Sequence, residues 1–381
     1  LSSRTQLGRT QRVTRQEDVL SALHLSKIFL SERSQLESLL RDYEHGFLRC
    51  EKCSSRVEYK AYPPLSLEKC PKCGHMIFIP IEVEGWWVVH PLAAGGFGSV
   101  YLGRYRDDPD KMAAIKVLQR SETITTEMME IFLEEAEIAY SFERHPNIAT
   151  TYAFGCLENN AFMIMEYIAG TRLTEYMITR EGRIPAEEGM YMTLDVVGAL
   201  EHIYNEGYLY RDVKPENIII TESGVAVLID YGLCQSIEQS KEPNVDGPIV
   251  GSALYMPPER YFRRAEDLKS DIYSLGMVLY YALLGSTFFS RTEIRTVVRA
   301  HTMKLRIQAQ SRMRGFDQDL IEVVDRMVRR NHEERFQSYE ELRYAVFSIL
   351  IRLQQESTSD KMIFLGRKRF LDTYGNLKYE D

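Results

Sequence analysis

Tyr210-Arg211-Asp212-Val213-Lys214-Pro215-Glu216-Asn217, followed at a distance by Asp230-Tyr231-Gly232, decides how this chain is read. Between the two segments, Ile218-Ile219-Ile220-Thr221 and Val225-Ala226-Val227-Leu228-Ile229 are β-prone runs around a turn containing Ser223-Gly224. A two-residue turn there makes Glu222 face Val225, and the same pairing carries Asn217 opposite Asp230, about 5 Å apart at Cβ. A carboxylate and an amide oxygen that close can share a hard cation such as Mg²⁺. Taken singly, an Asn or an Asp at a strand end is as readily a turn cap. Asp212 precedes Asn217 in a loop stiffened by Pro215, with the cation Lys214 between them.

Towards the N-terminus, Gly95-Gly96-Phe97-Gly98 joins two strand-like runs, Trp86–Leu92 and Ser99–Arg104. Glycines there let backbone N–H groups approach phosphate oxygens, although a ligand-free hairpin turn has the same composition. Lys116 follows in Ala113-Ala114-Ile115-Lys116-Val117-Leu118, where alternation places Ala114 and Lys116 on one face and Ile115 and Val117 on the other. A helix predicted over 127–142 carries Ile131, Glu135, Ile138 and Phe142 on one stripe, with Glu130, Glu134 and Glu137 outward. An unpaired carboxylate on an apolar face costs several kcal/mol, so Glu135 requires a cation, and Lys116 is the expected one. Glu137 is the alternative, because His145-Pro146-Asn147-Ile148 comes one residue late for Glu135.

In order and spacing these segments resemble the protein kinase family over about 86–352. The resemblance implies an α+β, bilobal fold with a small lobe over 86–168 and a large lobe over 169–352. It also implies ATP with Mg²⁺ or Mn²⁺ as cofactors and Ser/Thr hydroxyls of proteins as substrates. Asp212 then corresponds to the residue that orients the attacking hydroxyl, and Lys214 to the one that neutralises the transferred phosphoryl group. Asn217 and Asp230 match the family's metal ligands, and Lys116 with Glu135 its phosphate-positioning pair. The nucleotide pocket maps onto Ala93, Gly95, Gly96, Phe97, Gly98, Val100, Ala114, Met165, Glu166 and Ile168. Ala93 stands where the family has its first glycine, and Arg172 where an acidic ribose contact is common. Gly251–Glu259 resembles the substrate-positioning segment, with Glu259 expected to pair Arg335 and Asp271 to cap a buried helix while holding the catalytic loop. Arg211 matches an arginine that commonly receives an activation-loop phosphate, with Ser236 and Ser240 as candidate sites. Glu238, Glu242 or Asp246 is the alternative anion.

Cys50-x2-Cys53 and Cys70-x2-Cys73 have the spacing of a four-cysteine metal site, Zn²⁺ ahead of iron, with a redox dithiol as the other reading. The module, 47–80, ends so close to Trp86 that it must lie near the small lobe, against Trp86 or Trp87. The arrangement resembles bacterial kinases with a rubredoxin-like module before the catalytic domain.

The totals agree with this reading. A net charge of −8 argues against broad nucleic-acid binding, and there is no apolar run of membrane-spanning length. Residues 1–15 hold four arginines and no acids, and read as a disordered basic arm. Its Thr5, Thr10 and Thr14 are candidates for phosphorylation and a phosphothreonine-reading partner, against the plainer reading of a solvated tail. Residues 16–46 read as amphipathic helix with Leu20, Leu23, Leu36, Leu39 and Leu40 on its apolar side. Residues 353–381 form an unassigned C-terminal extension. Paired cysteines without a secretory core point to a reducing cytoplasmic setting.

Overall fold

The computed structural model describes residues 33–95, 98–119, 124–157, 160–244, 249–288, 297–299, 301 and 309–356. The basic arm, residues 16–32 of the amphipathic segment, Gly96, Phe97, Asp246 and nearly all of 353–381 lie outside the described residues. Two compact units emerge, one ending at Met129 but including Ala153–Tyr167, the other built from Glu130–Tyr152 and the chain from Ile168 onward.

In the first unit, helix α1 (Arg33–Glu44) buries Leu36, Leu40 and Tyr43, a three-to-four residue spacing that keeps them on one face. Two hairpins follow, β1 (Phe47–Arg49) with β2 (Arg56–Glu58) and β3 (Leu67–Lys69) with β4 (Met76–Phe78). The main sheet holds β5 (Ile81–Val83), β6 (Trp86–Gly95), β7 (Gly98–Tyr105), β8 (Asp108–Leu118), β9 (Thr151–Leu157) and β10 (Asn160–Glu166), ordered β5-β6-β7-β8-β10-β9. Along β8, Ala113, Ile115 and Val117 are buried while Ala114 and Lys116 are half-buried, as alternation requires. One hydrophobic cluster unites Tyr43, Tyr59, Cys50, Cys70, Trp87, Val89 and Leu102, so the cysteine module shares its core with the sheet. Trp87, one of the two tryptophans expected to receive it, packs at 5.4 Å from the Tyr43 ring.

Helix α2 (Thr126–Ser141) carries the chain into the second unit. Its buried face is Phe132, Glu135, Ala136 and Ala139, and Ile131 is 47% exposed. The expected apolar stripe is therefore rotated: Glu135 faces inward with Phe132 and Ala136, whereas Ile131 belongs to the outer side with Glu130, Glu134 and Glu137. Beyond β11 (Gly170–Arg172), α3 (Leu173–Ile178) and the long α4 (Ala186–Asn205) come β12 (Tyr208–Leu209) and the hairpin β13 (Ile218–Thr221) with β14 (Ala226–Leu228).

The hairpin register differs by one residue from the expected pairing. Ile218 faces Leu228 and Ile220 faces Ala226, so the loop is Glu222-Ser223-Gly224. Gly224 takes a left-handed φ of +79°, and the Thr221 hydroxyl accepts from Val225 N at 2.9 Å, which together close a three-residue turn. Asn217 consequently faces Ile229, whose N–H donates to Asn217 O at 3.0 Å.

The stretch 231–259, which the sequence alone suggests is one long loop, carries regular elements among its described residues. β15 (Gln235–Ser236) pairs with β12, and α5 (Ile237–Ser240) and α6 (Pro258–Tyr261) interrupt the rest. The centre of this unit is α7 (Leu268–Leu284), with Ile272, Tyr273, Leu275, Val278, Leu279 and Leu283 all enclosed. The cap of α7 is Asp267, whose side chain accepts from Lys269 N, and not Asp271 as the sequence suggested. Short α8 (Ala309–Arg312), α9 (Gln318–Met327) and α10 (Tyr339–Glu356) complete the described helices. None of them is long and apolar enough to cross a membrane.

Candidate active site and metal centre

The Asp212 loop is built on two hydrogen bonds from far along the chain. Asp271, buried on α7, accepts from Tyr210 N at 3.0 Å and Arg211 N at 2.8 Å. Burial pushes the Asp271 carboxyl up to about 6, and the two backbone donors oppose that rise. Tyr210 is fully enclosed, donates to Ile229 O at 2.7 Å and meets the Tyr231 ring edge-on at 6.2 Å. Tyr231 in turn donates to Ala149 O at 2.9 Å. Both phenols thus act as packed, satisfied struts, which explains why aromatics stand at these positions.

Within this frame the chemistry-bearing groups converge. Lys214 Nζ donates to Asp212 Oδ2 at 2.6 Å, and Asn217 Nδ2 donates to the same oxygen at 2.8 Å. The Asn217 amide nitrogen is thereby committed to Asp212, so its oxygen is the end suited to a cation. Burial pushes the Asp212 carboxyl above its ordinary range against the pull of Lys214, and the Asp230 charge adds to the rise. Asp230 has a left-handed φ of +71° and Arg211 one of +66°, strain that non-glycine residues hold only when their surroundings impose it. Glu135 reaches the same turn: a Cβ placed on Gly232 would sit 3.1 Å from Glu135 Oε2 and 3.5 Å from Asp230 Oδ1. Glu137, the alternative, is exposed. Desolvation and the carboxylates of Asp271, Glu135, Asp230 and Asp212 drive the Cys234 thiol well above its usual value.

Arg211 has an anion that spacing did not reveal. Its Nη2 donates to Glu266 Oε1 at 2.7 Å, and its Nη1 to Gln235. Ser236 accepts from Gln239 N as the cap of α5, while Ser240, the other candidate for phosphorylation, is enclosed at 4% exposure. Glu238 and Glu242 are exposed on the surface. Glu259 and Arg335 form the expected pair, two bonds of 2.8 and 2.9 Å in a buried site.

In the first unit the sheet aligns the other candidates. Lys116 pairs with Val100 on one side and Met163 on the other, and Val100 with Ala93. Ala114 pairs with Met165, two residues on and therefore on the same face. Gly95 pairs with Gly98 at the hairpin end, where a Cβ on Gly98 would meet Val117 O at 2.8 Å. Glu166 ends β10, and Ile168 follows in the second unit, both half-buried. Met163, only 1% exposed, was missed by the sequence reading because only the register puts it beside Lys116.

Residues 86–347, well over half of the chain, match the family described as the protein kinase domain. This chain belongs to that family. Among relatives of the kinase, Serine/threonine-protein kinase PknB of Mycobacterium leprae is 31% identical over 260 residues, covering 66% of this chain and 41% of the relative. PrkC of Bacillus subtilis is 30% identical over 216 residues, covering 56% and 32%, and PksC of Streptomyces coelicolor 28% over 260 residues, covering 66% and 46%. The chain therefore matches less than half the length of each.

A second centre precedes the kinase domain. Cys50, Cys53, Cys70 and Cys73 bring their sulfurs within 4.8 Å of one another, with Cys50–Cys73 at 3.5 Å and Cys53–Cys70 at 3.8 Å. Thiolates about 2.3 Å from a tetrahedral zinc would be about 3.8 Å apart, so the cluster fits a metal ion. Each half is a knuckle of the same form: Ser54 N donates to Cys50 O at 2.7 Å and Gly74 N to Cys70 O at 2.8 Å. The Ser55 hydroxyl, 3.4 Å from Cys70 Sγ, helps to pull that thiol down, while burial and the facing cysteines push the Cys73 thiol up.

Proposed function

We propose that the chain is an ATP-dependent serine/threonine protein kinase that transfers the γ-phosphoryl group to Ser/Thr hydroxyls of proteins, itself included. The observation that carries this reading is Asp212 holding Lys214 and Asn217 on one carboxylate oxygen, at 2.6 and 2.8 Å, beside Asp230. Asp212 orients the incoming hydroxyl and takes its proton, and Lys214 offsets charge on the group in transit. Asn217 and Asp230 would hold Mg²⁺ or Mn²⁺, which supplies charge neutralisation on the phosphates. Lys116 and Glu135 position the nucleotide phosphates. The backbones of Glu166 and Ile168 meet adenine past Met165, with Ala114, Val100 and Ala93 as further nucleotide contacts, and the Gly-rich segment from Gly95 to Gly98 supplies phosphate contacts. Names of the relatives support Ser/Thr specificity.

The cysteine module, 47–80, holds Zn²⁺ rather than iron and has a structural or regulatory role beside a kinase domain spanning 86–352. Thr5, Thr10 and Thr14 of the basic arm are candidate phosphorylation sites for a phosphothreonine-reading partner, and the protein works in the cytoplasm. Purified chain incubated with labelled ATP, Mg²⁺ and a protein substrate should transfer phosphate. Asp212→Asn should lower the rate about 10²–10⁴-fold, and Asp230→Ala should abolish it. Nucleotide binding without transfer by the unaltered chain would refute the enzyme and favour a scaffold, the reading that Ala93 and Arg172 suggest.

A further inference from the structure

We infer that Glu266 is a positioning residue for the catalytic loop, a fixed anion that sets Arg211 and Asp212 without phosphorylation of the loop at Ser236 or Ser240. The inference rests on the kinase reading above and concerns how its site is regulated. Glu266 is 5% exposed at its side chain and sits between two arginines. Arg260 grips it with Nε at 3.0 Å from both carboxylate oxygens and Nη2 at 2.6 Å from Oε2. Arg211 Nη2 takes Oε1 at 2.7 Å. Arg260 then turns back on the loop, its Nη1 donating to Arg211 O at 2.8 Å.

Arg211 is consequently held at both backbone polar groups and at both Nη atoms, while its Nε is buried without a hydrogen-bond partner. Its N–H is taken by Asp271, its carbonyl by Arg260 and its guanidinium by Glu266 and Gln235. A residue at φ +66° keeps that conformation only under such constraint. Truncation of Glu266 would leave two buried guanidinium groups without their counter-charge, and both would move.

The same network leaves no place for a phosphate at Ser240. Ser240 is enclosed, its hydroxyl donates to Gln235 Oε1 at 3.3 Å, and its carbonyl accepts Glu266 N at 2.8 Å. A phosphate on that hydroxyl would break its bond to Gln235 and bring a dianion into an enclosed site. A Cβ on Gly251 would lie 3.1 Å from Arg260 Nη1, so the segment leading to Glu259 is shaped to let Arg260 pass.

Two measurements on the full chain test the inference. First, phosphatase-treated protein, shown by intact mass to carry no phosphate, should keep its initial kcat within twofold. A loss of tenfold or more, recovered on rephosphorylation, would overturn the proposal. Second, Glu266→Gln should lower kcat at least tenfold per folded, nucleotide-binding molecule, with KM for ATP changed by less than about twofold, and Glu266→Asp should recover part of the loss. A merely structural residue would reduce the folded fraction and leave kcat per active molecule unchanged, and that result would also overturn it. Should Glu266→Gln not fold, Glu266→Asp and the phosphate-free protein decide by the same criteria. A chain that transfers no phosphate in any state would refute the kinase reading itself, which is distinct from an active kinase indifferent to Glu266.

Discussion

The cysteine cluster and the Asp212 loop assemble their functional atoms by opposite means. Each cysteine knuckle closes through backbone bonds between residues four or five apart, as Ser54 N to Cys50 O and Cys70 N to His75 O show. The two halves meet chiefly through sulfurs, Cys50 with Cys73 and Cys53 with Cys70, with Ser55 beside Cys70, and four thiols facing one another repel as thiolates unless a cation sits among them. The Asp212 loop closes locally as well, through Asn217 and Lys214 on Asp212, but it is also anchored from far along the chain. Asp271, Arg260 and Glu266, some fifty to sixty residues later, hold its backbone and its arginine. Local turns therefore make a site that depends on a bound ion, whereas distant buried polar groups make one that is held before any ligand arrives.

Removing the metal should break this contrast most visibly. Structural zinc contributes about 10 kcal/mol or more in small zinc modules, so chelation should unfold the knuckles. Hydrogen exchange should show loss of protection over 47–80 while α7 stays protected. Equal loss in both regions would mean that the two are not separately held.

Next in size is the buried pair behind the Asp212 loop. Arg335 is fully enclosed and bidentate to Glu259, so Arg335→Ala leaves an uncompensated carboxylate and should cost about 3–5 kcal/mol in denaturant unfolding. A double replacement by apolar residues of similar volume should cost much less, because no buried charge then remains.

Acid sharpens the same point. Burial pushes the Glu259 carboxyl up, but Arg335 more than offsets this and holds it below its usual 4.5. Burial and Arg260 act likewise on Glu266, which also ends below 4.5. A depressed carboxyl contributes stability that is complete above its unfolded value and is lost as pH falls through the folded one. Stability of this unit should therefore drop below about pH 4.5, and a Glu259→Gln protein, measured by denaturant titration, should show a shallower acid limb.

The smallest effect compares the two knuckles directly. Ser54 has φ +54° where Gly74 has +72°, and a non-glycine residue there costs about 1 kcal/mol. Ser54→Gly should raise the stability of the module by up to about that amount, and Gly74→Ser should lower it similarly, read from the rate of metal release to a chelator.

Where function depends on short spacing, the chain was legible by eye. The C-x-x-C pairs, the Asp212-to-Asn217 loop and the alternation around Lys116 each follow from periods of two residues or from turns a few residues long. The hairpin register was not, because Gly224 selects a three-residue turn and moves every pair by one position. The stripe on α2 was misjudged for a related reason: Ile131 is apolar yet exposed, while Phe132 and Ala136 face inward beside Glu135. Composition along one helix does not say which neighbours will cover it.

The sequence by itself pointed to the family through the order of short motifs along the chain, and to the four-cysteine cluster and the Asp212-to-Asn217 loop through spacings of a few residues within each. Only the tertiary structure decided that Glu266 is the anion of Arg211 and that Ser240 is enclosed. These depend on contacts between residues tens of positions apart, which packing brings together and no local spacing encodes.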